Sequence, residues 1–414
     1  MSDAKNPALA GLVRAGDAQR EATQITPFIW QVNDVSNAYL INTADGDVMV
    51  NTGFMDNAER NVGLLKPKRT GPLKHIILTQ SHADHYGCVP DFKEDNTKVI
   101  GGPGFNEALA DMMRLQPFFG PRSKKLWGST LKRGGTPKPA PDVVPDMLVD
   151  RSYMFEQGGR RFQLLHAPEG ETVDNLIVWM PNEMIAFTGN LVGPVWLSMP
   201  FFCTIRGDKH RLVWNTLRSL EKLKSLDAAI IITGHGDPIR GKDKIRSDID
   251  RMIGAITYVR DYTLDGMNAG RTVHELMRDV ALPDDLKIGE FHGKVAWAVK
   301  TIWDEYAGWF HYEDGTTELY HVPRSAVNAD LVELSGGAAA LVRRAKIYVE
   351  ARKPLEAIHL LDIALGVEPT HSDALTVKKA ALEGLLANSG SKNLSETMWL
   401  KSEIADVETK LAAS

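Results

Sequence analysis

Cysteine is nearly missing from this chain, with two residues in 414, Cys88 and Cys203. A single pair cannot build a disulfide framework, which excludes the small stapled scaffolds of secreted proteins and suits a reducing compartment. Long apolar runs are missing too: no segment approaches the ~20 residues needed to span a bilayer. The opening stretch, MSDAKNPALAGLVRAGDAQRE, places charges where a signal peptide needs an apolar core. Basic runs are also missing, and the net charge is −5, so nothing recommends a nucleic-acid partner. These gaps lead us to expect a soluble, cytoplasmic protein without a membrane partner. What is present is globular: 43% of residues are hydrophobic and 24% charged, enough for a sizeable core. The length suggests two or three domains.

The first part of the chain alternates short β-type runs with turn residues. Phe28–Val32, Ala38–Ile41 and Val48–Val50 read as successive strands, with Ala44-Asp45-Gly46-Asp47 as a hairpin turn. His75–Leu78 reads as a short buried strand, and further strands are expected at Phe162–Leu165, Leu176–Trp179, Met184–Phe187 and Ala229–Ile232. A helix is expected from Leu212 to Leu226. The Gly-, Pro- and Lys-rich stretch from Pro117 to Pro141 reads as a long lid or binding loop. Beyond Gly241 the strand signals stop. Helical patterns continue, among them Ala338–Ala351, Pro354–Gly366 and a third from Ser372, in a spacing like that of a tetratricopeptide pair. We therefore expect two domains, 22–245 and 246–414.

The chemistry concentrates after the His75–Leu78 strand, in Thr79-Gln80-Ser81-His82-Ala83-Asp84-His85-Tyr86-Gly87. Neutral imidazole and ionised carboxylate are good ligands for zinc, and a strand-to-helix turn can aim several of them at one point. The competing reading is a helix N-terminus capped by Asp84 with incidental histidines, which suits a lone His better than this cluster. Cys88 reads as a small buried thiol. His166 reads as packing at a strand end or as support for a ligand. Trp297, Trp303 and Trp309 read as helix packing or a dimer surface.

The 79–87 segment resembles Thr-His-x-His-x-Asp-His-x-Gly, the metal-binding signature of the metallo-β-lactamase superfamily, with Gln80 in place of the first His. His166-Ala167-Pro168-Glu169-Gly170-Glu171 resembles a segment of the alkyl sulfatase branch. So do Leu264–Gly270, Ala281-Leu282-Pro283, Tyr306–Phe310 and Gly336-Gly337-Ala338, which are similar to that branch's dimerisation domain. The resemblance implies an α/β fold, the αββα sandwich, followed by an all-α dimerisation domain. It implies one metal held by Gln80, His82 and Glu171, and another by Asp84, His85 and His235. A bridging Glu of the family corresponds to Asn190, so Gln80 and Asn190 weaken two positions and leave the metals under-compensated by about one charge. The branch commonly carries a further sterol-carrier-like domain at its C-terminus, which we expect this chain to lack.

Thr204-Ile205-Arg206-Gly207 resembles the segment whose Arg holds the sulfate group, a task that suits a guanidinium fork. The alternative for Arg206 is an ordinary ion pair. Phe201 stands where the family has Asn, and Pro194–Cys203 is apolar enough to form a wall for an organic group. Asp208 and His210 are candidate proton donors. The expectation is a hydrolase that cleaves a sulfate ester of an apolar alcohol with metal-activated water. Asp84 and Arg206 would be catalytic, with Arg206 and Phe201 binding substrate. The cofactor would be zinc, as one or two ions, with Mn or Fe possible on the same donors. A homodimer is expected. The rivals are hydrolysis of carboxylic esters, lactones or phosphoesters on the same site, and a metal-poor dimeric binding protein.

Overall fold

The computed structural model describes residues 8–131, 138–168, 170–312 and 315–413. Contacts divide these residues into two compact units, one covering Ala8–Glu305 and the other reaching from Tyr306 to the C-terminus. The change from strands to helices near residue 245 is a change of element type; packing divides the chain elsewhere.

The first unit is built on two sheets. One has seven strands in sequence order: β1 (Thr23–Thr26), β2 (Ile29–Val32), β3 (Ala38–Thr43), β4 (Gly46–Val50), β5 (Leu73–Ile77), β6 (Lys98–Gly101) and β7 (Met147–Leu148). It is antiparallel through β4 and parallel from β4 to β7. The other sheet holds β8 (Ser152–Gln157), β9 (Arg160–His166), β10 (Leu176–Met180), β11 (Ile185–Gly189), β12 (Ile230–Thr233) and β13 (Ile239–Arg240). All its pairs are antiparallel except β11 with β12.

Alternation along each strand sorts side chains into layers. In β3, Tyr39 and Ile41 join the core between the sheets, whereas Ala38 and Leu40 face the outer layer. In β10, Leu176, Val178 and Met180 point between the sheets, while Ile177 and Trp179 point outward. Apolar residues on both faces require helices on both outer surfaces. On the first sheet these include Ala58–Leu65 and Phe105–Arg114; on the second, Val213–Ser225, Lys242–Asn268 and the start of Val295–Ala307. The arrangement is the αββα sandwich that the resemblance implies.

The second unit is helical, with Asn328–Leu334, Ala338–Glu350, Pro354–Val367, Ser372–Ser389 and Leu394–Ala413. Small residues such as Ala345, Ala357, Ala374 and Ala381 sit at its contacts beside Val342 and Leu361. No helix among the described residues is long and apolar enough to cross a membrane.

Two sequence readings need correction. The lid loop expected from Pro117 begins as a helix, Gln116–Leu131, with Pro121 inside it. Pro117 lies in the first turn, where no backbone N–H is needed, whereas Pro121 sits farther in and costs one helical hydrogen bond. Residues 132–137 of that stretch lie outside the described residues. The hydrophobic pattern also missed β1, β6, β7, β8 and β13, which are short or, like β8, mostly exposed.

Candidate metal centre

The loop after β5 enters the one-turn helix Ala83–Tyr86 under tight constraint. The Thr79 backbone N–H donates to Asn51 Oδ1 at 2.9 Å, and the Thr79 carbonyl accepts from Leu176 N at 2.8 Å. Ser81 Oγ donates to Asp174 Oδ1 at 3.0 Å, and Thr52 N donates to the His85 carbonyl at 2.7 Å. The loop is thus tied to β4 on one side and to the second sheet on the other. Asn51 does this from a left-handed backbone (φ 56°), a conformation that Asn tolerates better than most residues.

Asp84, His85 and His235 converge, with ligand atoms all within 4.8 Å of one another. His235 arrives from the turn after β12, where Thr233 Oγ1 donates to the His235 carbonyl at 2.6 Å and Gly234 N donates to the Gly189 carbonyl at 2.9 Å. A Cβ on Gly234 would displace the Asn190 amide, running into its Oδ1 and lying 3.1 Å from His85 Cε1. The Asn190 carbonyl therefore faces the same space as His85.

Burial, with His82 nearby, holds His85 well below the usual imidazole range. Burial likewise pushes His235 down to about 4, although the Asp84 charge opposes the shift. Both rings are neutral at pH 7, as ligation requires. His85 Nδ1 is ringed by Ser36 Oγ at 3.3 Å, Asn51 Nδ2 at 3.0 Å and Thr79 Oγ1 at 3.2 Å. The Ser36 hydroxyl donates to the Gly234 carbonyl at 3.0 Å. His85 Nε2, His235 Nδ1 and Asn190 Oδ1 are buried without hydrogen-bond partners. Orphaned buried polar atoms are costly, and three aimed at one space beside a carboxylate suit a cation. The donor set fits a divalent metal.

The remaining expected residues form a second cluster. Gln80, wholly buried, accepts from Asn190 N at 3.1 Å and meets His82 Nδ1 at 3.0 Å. His82 Nε2 lies 3.7 Å from Asp208 Oδ2. Arg206 Nη2 donates to Asp208 at 3.0 Å, while Arg211 Nη2 is 3.4 Å from Glu171 Oε1 and 3.8 Å from Asp208. Despite its partial burial, Asp208 is held well below the usual carboxylate range by His82, Arg206 and Arg211. A cavity of about 220 Å³ opens beside this cluster, with His82, Glu171, Asp208 and Arg211 on one wall and Met112, Leu115, Phe119 and Val173 on the other.

Phe201 is 5% exposed, edge-on to His292 at 4.9 Å and tilted against Trp297 at 5.4 Å. It also lines a separate cavity of about 260 Å³ with Ile205, His210 and Trp297. Met199 and Phe202 from the same apolar stretch belong to the core. Cys88 is buried, with its thiol donating to the Phe54 carbonyl at 3.3 Å and its pKa raised by burial. His166 Nε2 sits 2.8 Å from the Val173 carbonyl, bracing the loop that carries Glu171. Glu169 lies outside the described residues. Trp303 packs on the core, whereas Trp309 is 75% exposed. The sequence reading missed Asn51 and Arg211. A polar residue ending the apolar run Val48–Val50 was the available signal for Asn51; Arg211 had none of its own.

Residues 32–235 match the model of the Metallo-beta-lactamase superfamily, and residues 272–402 match that of Alkyl sulfatase dimerisation. The chain is similar to a linear primary-alkylsulfatase of Pseudomonas sp., 27% identical over 72% of this chain and 60% of the relative. It is similar to an (R)-specific secondary-alkylsulfatase of Pseudomonas sp., 23% identical over 87% of this chain and 59% of the relative. The solved structure of the stereoselective inverting sec-alkylsulfatase Pisa1 from Pseudomonas sp. superposes with a TM-score of 0.82 at 20% identity, covering 93% of this chain and 65% of that one, and so shares its fold. The chain spans about three fifths of the length of these curated relatives. It therefore joins a domain of the metallo-β-lactamase superfamily to a domain of the alkyl sulfatase dimerisation family.

Proposed function

We propose that the chain is a metal-dependent hydrolase of sulfate esters whose alcohol part is apolar. The observation that carries this reading is the meeting of His235 with Asp84 and His85, with orphaned ring nitrogens, where Asp84 and His85 share a loop with His82, which lines a cavity with Arg211 and an apolar wall. Asp84, His85 and His235 would hold the metal, with the Asn190 side-chain carbonyl facing the same space. The chemistry that a divalent cation would supply there, zinc first and manganese or iron on the same donors, is polarisation of the ester and activation of water near neutral pH. Asp84 is the most exposed of the three ligands, its side chain 21% accessible, and accepts a hydrogen bond from the attacking water. Arg206, paired with Asp208 at 3.0 Å, would meet the anionic group by turning from that carboxylate. Met112, Leu115 and Phe119 take the alcohol part, and Phe201 backs the arginines by accepting from Arg211 through its carbonyl.

The similarity to alkylsulfatases supports the sulfate assignment, and the family name of residues 272–402 supports a homodimer formed by the helical part. In functional terms we place the division near residue 245, with catalysis in 22–245 and dimerisation in 246–414. The unpaired cysteines support a cytoplasmic location.

The test uses the full chain, stripped with chelator and reloaded, against primary and secondary alkyl sulfates, phosphate esters, carboxylic esters and lactones. The expected outcome is sulfate release that chelator abolishes and zinc restores. Turnover of carboxylic esters or lactones without sulfate release would assign the site to the rival chemistry. Neither metal nor turnover would make this a binding protein.

A further inference from the structure

The two arginines beside the cavity already face an anion that belongs to the chain. Arg206 Nη2 donates to Asp208 Oδ2 at 3.0 Å, and the same oxygen lies 3.8 Å from Arg211 Nη2. The other Asp208 oxygen accepts from Lys209 N at 2.8 Å. A guanidinium receives a carboxylate and a sulfate group through the same kind of charge-assisted hydrogen bond. Asp208 therefore sits where the anionic group of an ester would have to go.

Of the groups in this cluster, Asp208 is the one placed for exchange. Its side chain is 24% accessible and lines the cavity of about 220 Å³, whereas Arg206 is 14% accessible and is not on that wall. The carboxylate thus screens the guanidinium from the cavity. Glu171 and Arg211, 3.4 Å apart, are only 8% and 4% accessible. Arg211 is also held in place, because Nη1 donates to the Phe201 carbonyl and its backbone N–H to the Phe202 carbonyl at 2.8 Å. Charge is balanced too: Arg206 and Arg211 stand against Asp208 and Glu171, which leaves these four groups no excess for a free anion. A ligand that displaces Asp208 needs something besides charge. Met112, Leu115 and Phe119 on the facing wall offer it to a molecule with an apolar part.

We infer that Asp208 is a built-in competitor for the anionic group of the substrate, a specificity-determining residue that keeps free inorganic anions off Arg206 and yields to an anionic ester with an apolar part. The inference rests on the sulfate-ester reading proposed above and adds to it a means of telling substrate from product. Inorganic sulfate, once separated from its alcohol, has lost the apolar contact, and Asp208 returns to Arg206 in its place.

The test is calorimetric titration of inorganic sulfate into the full-length protein reloaded with zinc. Wild type is compared with Asp208→Asn, Asp208→Ala and Asp208→Asn/Arg206→Gln, each checked by circular dichroism. The expected result is no saturation of the wild type below millimolar sulfate, and binding at least about tenfold tighter in both single variants. That gain should vanish when Arg206 is replaced as well. Unchanged or weaker binding in the Asp208 variants overturns the inference, because the carboxylate then only positions Arg206. A gain that survives Arg206→Gln overturns it too. Saturation of the wild type below millimolar sulfate does so without any variant. The titration needs no turnover, so the two failures are separable: tighter sulfate binding in the variants with no sulfate ester cleaved would sink the hydrolase reading and leave Asp208 as the competitor.

Discussion

At the scale of the residue, the chemistry was legible where ligands lie close in sequence and hidden where the fold assembles them. Thr79–Gly87 announces itself because imidazoles and a carboxylate fall within one turn. Resemblance supplied His235 and Asn190, which the turn after β12 and the end of β11 bring to the same space. Arg211 was invisible, since its meeting with Glu171 depends on the path of the chain between Phe202 and Val213, where no periodicity operates. Two predictions belong here. His85→Ala should lower zinc affinity at least about tenfold by titration calorimetry with the circular dichroism spectrum retained; unchanged affinity would remove His85 from the site. Arg206→Lys keeps the charge and loses the fork, so KM for a sulfate ester should rise about tenfold with kcat less affected. An unchanged KM would place Arg206 in a structural ion pair with Asp208.

At the scale of the element, strands with two buried faces were easy to see because their apolar runs are continuous. Ile230–Thr233 and Leu176–Met180 are of this kind. β8 escaped because most of its residues are exposed; it owes its place to pairing with β9, including the stacked rings of Phe155 and Phe162 at 5.0 Å. Gln116–Leu131 escaped because the Gly, Pro and Lys content of the stretch from Pro117 was read as that of a loop. Phe162 is fully buried between the sheets. Phe162→Ala should cost about 3–5 kcal/mol in chemical denaturation, whereas a loss below about 1 kcal/mol would mean that the inter-sheet core can collapse around the gap.

At the scale of the whole molecule, strands and helices giving way to a helical part was legible from alternation yielding to helical periodicity, and the αββα architecture came from the resemblance. The packing division between Glu305 and Tyr306 was not, because the helix Lys242–Asn268 carries the pattern of the helical part while its buried face belongs to the sandwich core. On the second unit Trp309, Tyr312 and Tyr320 are 75%, 80% and 67% exposed, a concentration of aromatic surface suited to a partner. Light scattering should return about twice the 45.7 kDa chain mass, and Trp309→Asp should shift it toward the monomer. A monomeric wild type at micromolar concentration would contradict the homodimer.

The central claim is that a cation at Asp84, His85 and His235 drives hydrolysis of a sulfate ester, and a titration tests it directly. Metal-free protein receives zinc in small increments while sulfate release from a medium-chain alkyl sulfate is recorded. The account predicts no release without zinc, a rise in proportion to zinc bound, and a plateau once the site is filled. Release independent of zinc, or none at full loading, would contradict it.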